Sequence, residues 1–245
     1  MRVALAREMI ESFGRGDELE SFLARNGTGF ITMSEALLAG VGEPLPELDA
    51  VLLAYHSPDL YYSDVAGCYL SQRLPGSPIP CSVSAPGPGA VFTALRIADG
   101  MCRLGELDRG ALFAYDQNAV LWDANDAARD KPDSAVLLTL GADGEVAVGE
   151  LDEIRVDGPG GPVRALADVL DRHRGIRVVA GAGLAAELEG TPYADRVESV
   201  PELWCTSAWA GLAALWPLTE PVLVADYQPV GTSFHSCVLS PGETP

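Results

Sequence analysis

The sequence predicts a layered α/β protein built from two similar halves, with helices between and outside two mixed sheets. Short, near-continuous apolar runs such as Ala50-Val51-Leu52-Leu53-Ala54-Tyr55 and Val222-Leu223-Val224-Ala225 have the composition of strands buried on both faces. Segments of helical spacing separate them. The order of elements then repeats: 50–55, 64–74, 81–84, 89–104, 110–115 and 134–140 parallel 176–180, 184–188, 196–200, 206–215, 222–227 and 234–239. Neither half could bury both sheet faces alone, so residues 1–157 and 158–245 are read as two halves of one unit.

In chain order, Ala4, Leu5, Met9, Ile10 and Phe13 mark a first helical stripe, and Leu19, Phe22 and Leu23 a second. A third helix is expected to open at Thr32 or Ser34, either of which can cap it. Strand 50–55 ends in His56-Ser57-Pro58-Asp59, and Ser63 or Asp64 caps a helix that Pro75-Gly76 terminates. After the strand at 110–115 comes a polar surface loop, 117–133. Strand 134–140 is expected to form a hairpin with 145–148 through Gly141-Ala142-Asp143-Gly144. The Gly/Pro-rich stretch 158–162 punctuates the chain before the second half begins with a helix at 163–173.

The most informative stretch is 79–98. Cys81 to Ser84 reads as a strand, Pro86-Gly87-Pro88-Gly89 as a tight turn, and Val91, Leu95 and Ala98 as the buried stripe of a helix. Strand-to-helix turns of this kind present backbone N–H groups to a site.

The stretch resembles the nucleophile elbow of the thiolase superfamily, especially its ketoacyl synthase III branch. There a strand reads into Ala-Cys-small-Gly and an apolar helix ending in Ala-Leu; Ser82 to Ala85 and Ala94-Leu95 fit. His56-Ser57-Pro58-Asp59 is similar to the family's Ala-small-Thr/Ser-Pro-Asp, Thr206-Ser207-Ala208 to its Asn-Thr-Ser-Ala, and Gly231 before Phe234 to its closing hairpin. The resemblance spans about residues 49–240 and implies a thiolase-like fold, two βαβαββ halves in α-β-α-β-α layers, with a pruned or replaced N-terminus.

The family's catalytic positions are different here. Aligned from the strand, the nucleophile position holds Gly87; aligned from Ala94-Leu95, it holds Pro88. The histidine position falls in Ala180-Gly181-Ala182-Gly183, and the asparagine position reads Cys205. Condensation needs a thiolate to carry the acyl group and neutral donors to polarise its carbonyl. The resemblance therefore implies an inactive accessory subunit of polyketide or fatty-acyl biosynthesis, like a chain-length factor, paired with an active ketosynthase. Thiolase-fold dimers meet through the strand entering the elbow, which puts Ile79, Cys81 and Val83 at the interface of a heterodimer or a homodimer. An acyl carrier protein would be reached through the partner. No cofactor is implied, only a phosphopantetheine or coenzyme A thioester as substrate.

Two other readings stand beside this one. An acyltransferase or thioesterase-like enzyme could use Cys205, whose thiol pKa would fall at a helix start, or a water placed by His56 or His235. A homodimer could bind acyl-thioesters without chemistry. Cys205, Cys81 and the two histidines also suit ordinary packing and hydrogen-bonding roles.

Composition narrows the field. A formal net charge of −19 disfavours nucleic acid and anionic membranes as partners. No apolar run reaches membrane-spanning length, and the five cysteines give no CxxC and no disulfide framework, so a cytoplasmic protein with reduced thiols is expected. The three histidines have no metal-ligand spacing, and His235 with Cys237 would bind a metal only weakly.

Overall fold

Strand β1 (Ala50–Tyr55) owes its apolar composition to its place between two parallel neighbours, β2 (Ile79–Ser84) and β3 (Arg109–Asp116). Strand β4 (Ser134–Gly141) runs antiparallel to β3, giving the order β2-β1-β3-β4. This is seen in a computed structural model that describes residues 27–59, 61, 64–118, 131–198, 200 and 202–242. The helical stripes expected at 4–13 and 17–23 lie outside the described residues.

The second sheet repeats the first. Its β6 (Arg177–Ala180) lies parallel between β7 (Val197–Glu198) and β8 (Val222–Gln228), with β9 (Ser233–Pro241) antiparallel to β8. The order β7-β6-β8-β9 matches β2-β1-β3-β4 strand for strand, and β5 (Val146–Arg155) extends it along β9. The expected hairpin is thereby corrected: 134–140 and 145–148 belong to different sheets. A Gly-rich turn serves a hairpin or a crossover equally well, and the edge of β9, long enough to pair with all of β5, decides between them.

Helices complete five layers. Helices α1 (Phe30–Gly40) and α2 (Ala66–Arg73) cover the outer face of the first sheet, where Phe30, Met33 and Leu70 meet Val51, Leu53 and Phe113. Helices α3 (Gly89–Leu104) and α6 (Ser207–Ala213) lie between the sheets. Their Phe92, Leu95, Trp209 and Leu212 pack with Leu52 and Ala54 of β1 and Val222 and Val224 of β8. Helices α4 (Gly161–Arg172) and α5 (Ala182–Leu188) cover the second sheet's outer face through Leu166, Val169, Leu184 and Leu188. Alternate residues of β1 and β8 thus serve opposite layers, as strand geometry requires.

Helix α1 opens at Phe30, before the expected cap residues. Ser34 lies inside it, fully buried, with its hydroxyl 2.7 Å from the Phe30 carbonyl and 2.6 Å from the Tyr115 hydroxyl. The serine ties the outer layer to β3 instead of capping a helix.

A buried carboxylate is among the contacts that join the halves. Asp116, at the end of β3, accepts the N–H groups of Trp204 (3.1 Å), Cys205 (3.0 Å) and Thr206 (2.8 Å), together with the Thr206 hydroxyl (2.7 Å). It satisfies otherwise unpaired amides at the start of α6 from a residue 90 positions earlier. Burial pushes the Asp116 pKa up, and the donors of Thr206 and Cys205 oppose that shift. Asp116→Ala leaves these buried donors without an acceptor, and urea denaturation is expected to show a loss on the order of 3 kcal/mol. A loss below about 1 kcal/mol, the scale of an ordinary exposed cap, would show that the clamp is not structural.

Candidate functional site

The elbow forms as the sequence predicts: β2 ends at Ser84, and α3 begins at Gly89 behind Pro88. Between them Gly87 has φ +54°, in the left-handed region that favours glycine. Its N–H donates to His56 Nδ1 at 2.7 Å, which puts the proton of the neutral ring on Nε2. The His56 ring stacks on Trp204, with centroids 4.8 Å apart and planes 8° from parallel. Lys131 Nζ lies 5.0 Å from the centre of the same indole.

The space beside Gly87 and Gly181 is taken. A Cβ on Gly87 would overlap the side-chain amide oxygen of Gln228, and one on Gly181 would overlap the Asp226 carboxyl group. Both occupants project from the end of β8, two residues apart and hence on one face. Cys205 is buried, and its thiol donates to the Tyr115 carbonyl at 3.1 Å. Its pKa is pushed well up by burial and by the Asp116 carboxylate. This corrects the expected drop at a helix start: the Asp116 carboxylate takes the Cys205 amide and sets a negative charge beside the sulfur.

A cleft of about 600 Å³ opens beside the elbow, bounded by Gly87, Pro88, Trp204, Asp226 and Gln228, with Lys131 and Glu202 also in its wall. Cys205, His56 and His235 do not line it. His235 stands opposite Asp226 in the β8–β9 register and stacks on Phe92, 5.4 Å between centroids. It is 3 % exposed, its Nδ1 has no partner among the described residues, and burial lowers its pKa. His235 and Cys237 face the core, where burial raises the Cys237 pKa to about 12. Among the described residues no group of three His, Cys, Asp or Glu side chains could hold a metal ion.

Asp226 was not singled out from the sequence, although a carboxylate inside the run Val222 to Tyr227 was a signal. Its Oδ1 accepts the N–H groups of Leu184 (3.0 Å) and Tyr227 (2.8 Å). Burial nevertheless raises its pKa to about 7, because those bonds and that of Gly183 only partly replace water.

No protein-family profile and no curated protein sequence matches this chain. Solved structures do match its fold. 3-Oxoacyl-(acyl carrier protein) synthase III, FabH, from Pseudomonas aeruginosa PAO1 is similar over 88 % of this chain and 83 % of its own, with a TM-score of 0.58 and 20 % identity. A single-residue variant of Xanthomonas campestris OleA bound with cerulenin gives a TM-score of 0.66 at 10 % identity, over 89 % and 81 % of the two chains. AbyA1, a tetronic acid condensing enzyme, gives 0.63 at 14 %, over 86 % and 81 %. The chain thus has the thiolase-like fold of the condensing enzymes. Among these neighbours is a ketoacyl synthase III, and the likeness to it is one of fold.

Because the folded pKa of Asp226 is raised from 3.8 to about 7, the protonated acid is the better-tolerated form. Its contribution to stability is fully present below about pH 4 and is lost as pH rises through about 7. Thermal unfolding should therefore show stability falling by roughly 1 kcal/mol per pH unit across that window, with Asp226→Asn flattening the dependence. A profile identical in the two proteins would remove Asp226 as its source.

Proposed function

We propose that this chain is a non-catalytic, ketosynthase-like subunit that pairs with an active ketosynthase and shapes the space for an acyl chain. One observation carries the reading: Gly87 and Gly181, which the resemblance puts at or beside the nucleophile and histidine positions, have their side-chain space filled by Gln228 and Asp226. The Gly87 N–H, a donor that could face an oxyanion, is spent on His56. Covalent acyl transfer through Cys205 is disfavoured by a protonated thiol that donates to a carbonyl and does not line the cleft.

Strand β2 supports the pairing. It is an outer strand of its sheet, and Ile79 is 72 % exposed. The amides of Ile79 and Ala85 turn inward to the carbonyls of Asp49 and Tyr55. By strand alternation, those of Ser82 and Ser84 face outward, and Pro80 has no N–H to offer. An edge of this kind accepts a further strand from a partner. Cys81 and Val83 are more covered than Ile79, so the apolar contact would centre on Ile79, with outward main-chain groups supplying the rest.

Light scattering on this chain mixed with a candidate ketosynthase partner should give the mass of a one-to-one complex. Ser82→Pro removes an outward donor at an edge where proline is tolerated, so it should abolish the complex and leave the melting temperature of the isolated chain nearly unchanged. A chain that stays alone, or a complex insensitive to Ser82→Pro, would contradict the proposal.

A further inference from the structure

The cleft beside the elbow is not neutral in charge. Glu189, Glu198, Glu202 and Asp226 contribute to its lining, against Lys131 as the one cation among the described lining residues. Lys131 is already committed, with Nζ 2.8 Å from Glu202 Oε1 and 3.3 Å from the Glu202 carbonyl. Glu198 is paired with Arg177 at 2.8 Å. Among the described residues no cation pairs with Asp226 or Glu189. Asp226 is 1 % exposed, so its charged form lies almost out of water: backbone amides bond it, His235 stands opposite it in the β8–β9 register, and the Asp116 carboxyl disfavours its charge further. A buried carboxylate without a counter-charge is costly, and a ligand that brings the missing positive charge removes the cost.

The wall also holds a cation in place. The Lys131 ammonium lies over the Trp204 ring while bonded to a carboxylate and a carbonyl of Glu202, the set of groups that receives an alkylammonium. Anionic ligands meet the opposite field, and a chain of net charge −19 gives them no long-range attraction.

We infer that the cleft binds a ligand carrying a primary ammonium group, with Asp226 as its buried counter-ion and Glu189 at the rim. Resting on the proposed function, and taking this cleft as the space it shapes for an acyl chain, the ligand class is a short amino-acyl thioester presented without the phosphates of coenzyme A. Binding lets Asp226 give up its proton and pair with the ammonium. Affinity for a cationic chain therefore rises between pH 5.5 and pH 8, while affinity for a neutral chain of the same shape does not.

The test is calorimetric titration of the full chain with the N-acetylcysteamine thioesters of β-alanine, butyrate and succinate, and with propylamine alone. The β-alanyl probe carries an ammonium where the butyryl probe carries a methyl group. It should bind at least about tenfold more tightly at pH 8, the worth of one charge-assisted contact, with the preference reduced at pH 5.5. Asp226→Asn should erase the preference. Glu189→Gln, at an exposed position, should weaken it and serves if the first variant does not fold. Butyryl or succinyl binding as tight as β-alanyl overturns the inference and leaves the acyl-space reading intact. Propylamine binding that depends on Asp226, with no thioester bound, supports the ammonium site and overturns the acyl-space reading. No binding by any probe overturns both.

Discussion

The Asp116 carboxylate is the constraint on which the remaining geometry depends. It lies at the end of the first half's last parallel strand and holds three consecutive amides at the start of the second half's central helix. The Thr206 hydroxyl extends the contact to Ser134 Oγ at 3.0 Å, so β3, β4 and α6 meet at one point. Trp204, and with it the stack on His56 and the wall of the cleft, is positioned by this clamp. Interactions of an ionised acceptor with several buried donors are stronger than neutral ones and geometrically demanding. The two halves are therefore fixed in register as well as packed.

Duplication gives this contact a counterpart. The matching strands β3 and β8 end in Ala114-Tyr115-Asp116 and Ala225-Asp226-Tyr227, with the acid displaced by one residue. Asp116 reaches across to the other half, whereas Asp226 remains in its own half and takes the Leu184 amide at α5. The one-residue displacement puts the carboxyl of Asp226 over Gly181 and, two positions on, the amide of Gln228 over Gly87. A single strand end thus fills the space beside both glycines. The central helices, the elbow and the edge strand are kept around a centre filled by other side chains.

Much of the architecture was legible because it rests on periodicity. Continuous apolar runs marked β1, β3 and β8, whose two faces are both covered, and the recurring element order anticipated two sheets of the same topology. The β4–β5 connection was not legible, since a local Gly-rich turn says nothing about which distant strand edge lacks a partner. At the site, the elbow and the glycine at Gly87 could be read from the turn residues. The pKa of Cys205 could not, because its direction is set by complete burial and then by Asp116, far away in sequence. Asp226 and Gln228 were missed for a similar reason: what they fill is defined by the absence of side chains on remote glycines.

The central claim is that the fold persists without covalent acyl chemistry, and intact-mass analysis tests it most directly. The isolated chain would be incubated with panels of acyl-coenzyme A and acyl-carrier thioesters and weighed. The account predicts an unchanged mass with every donor. An added mass of one acyl group, abolished by Cys205→Ala, would contradict it.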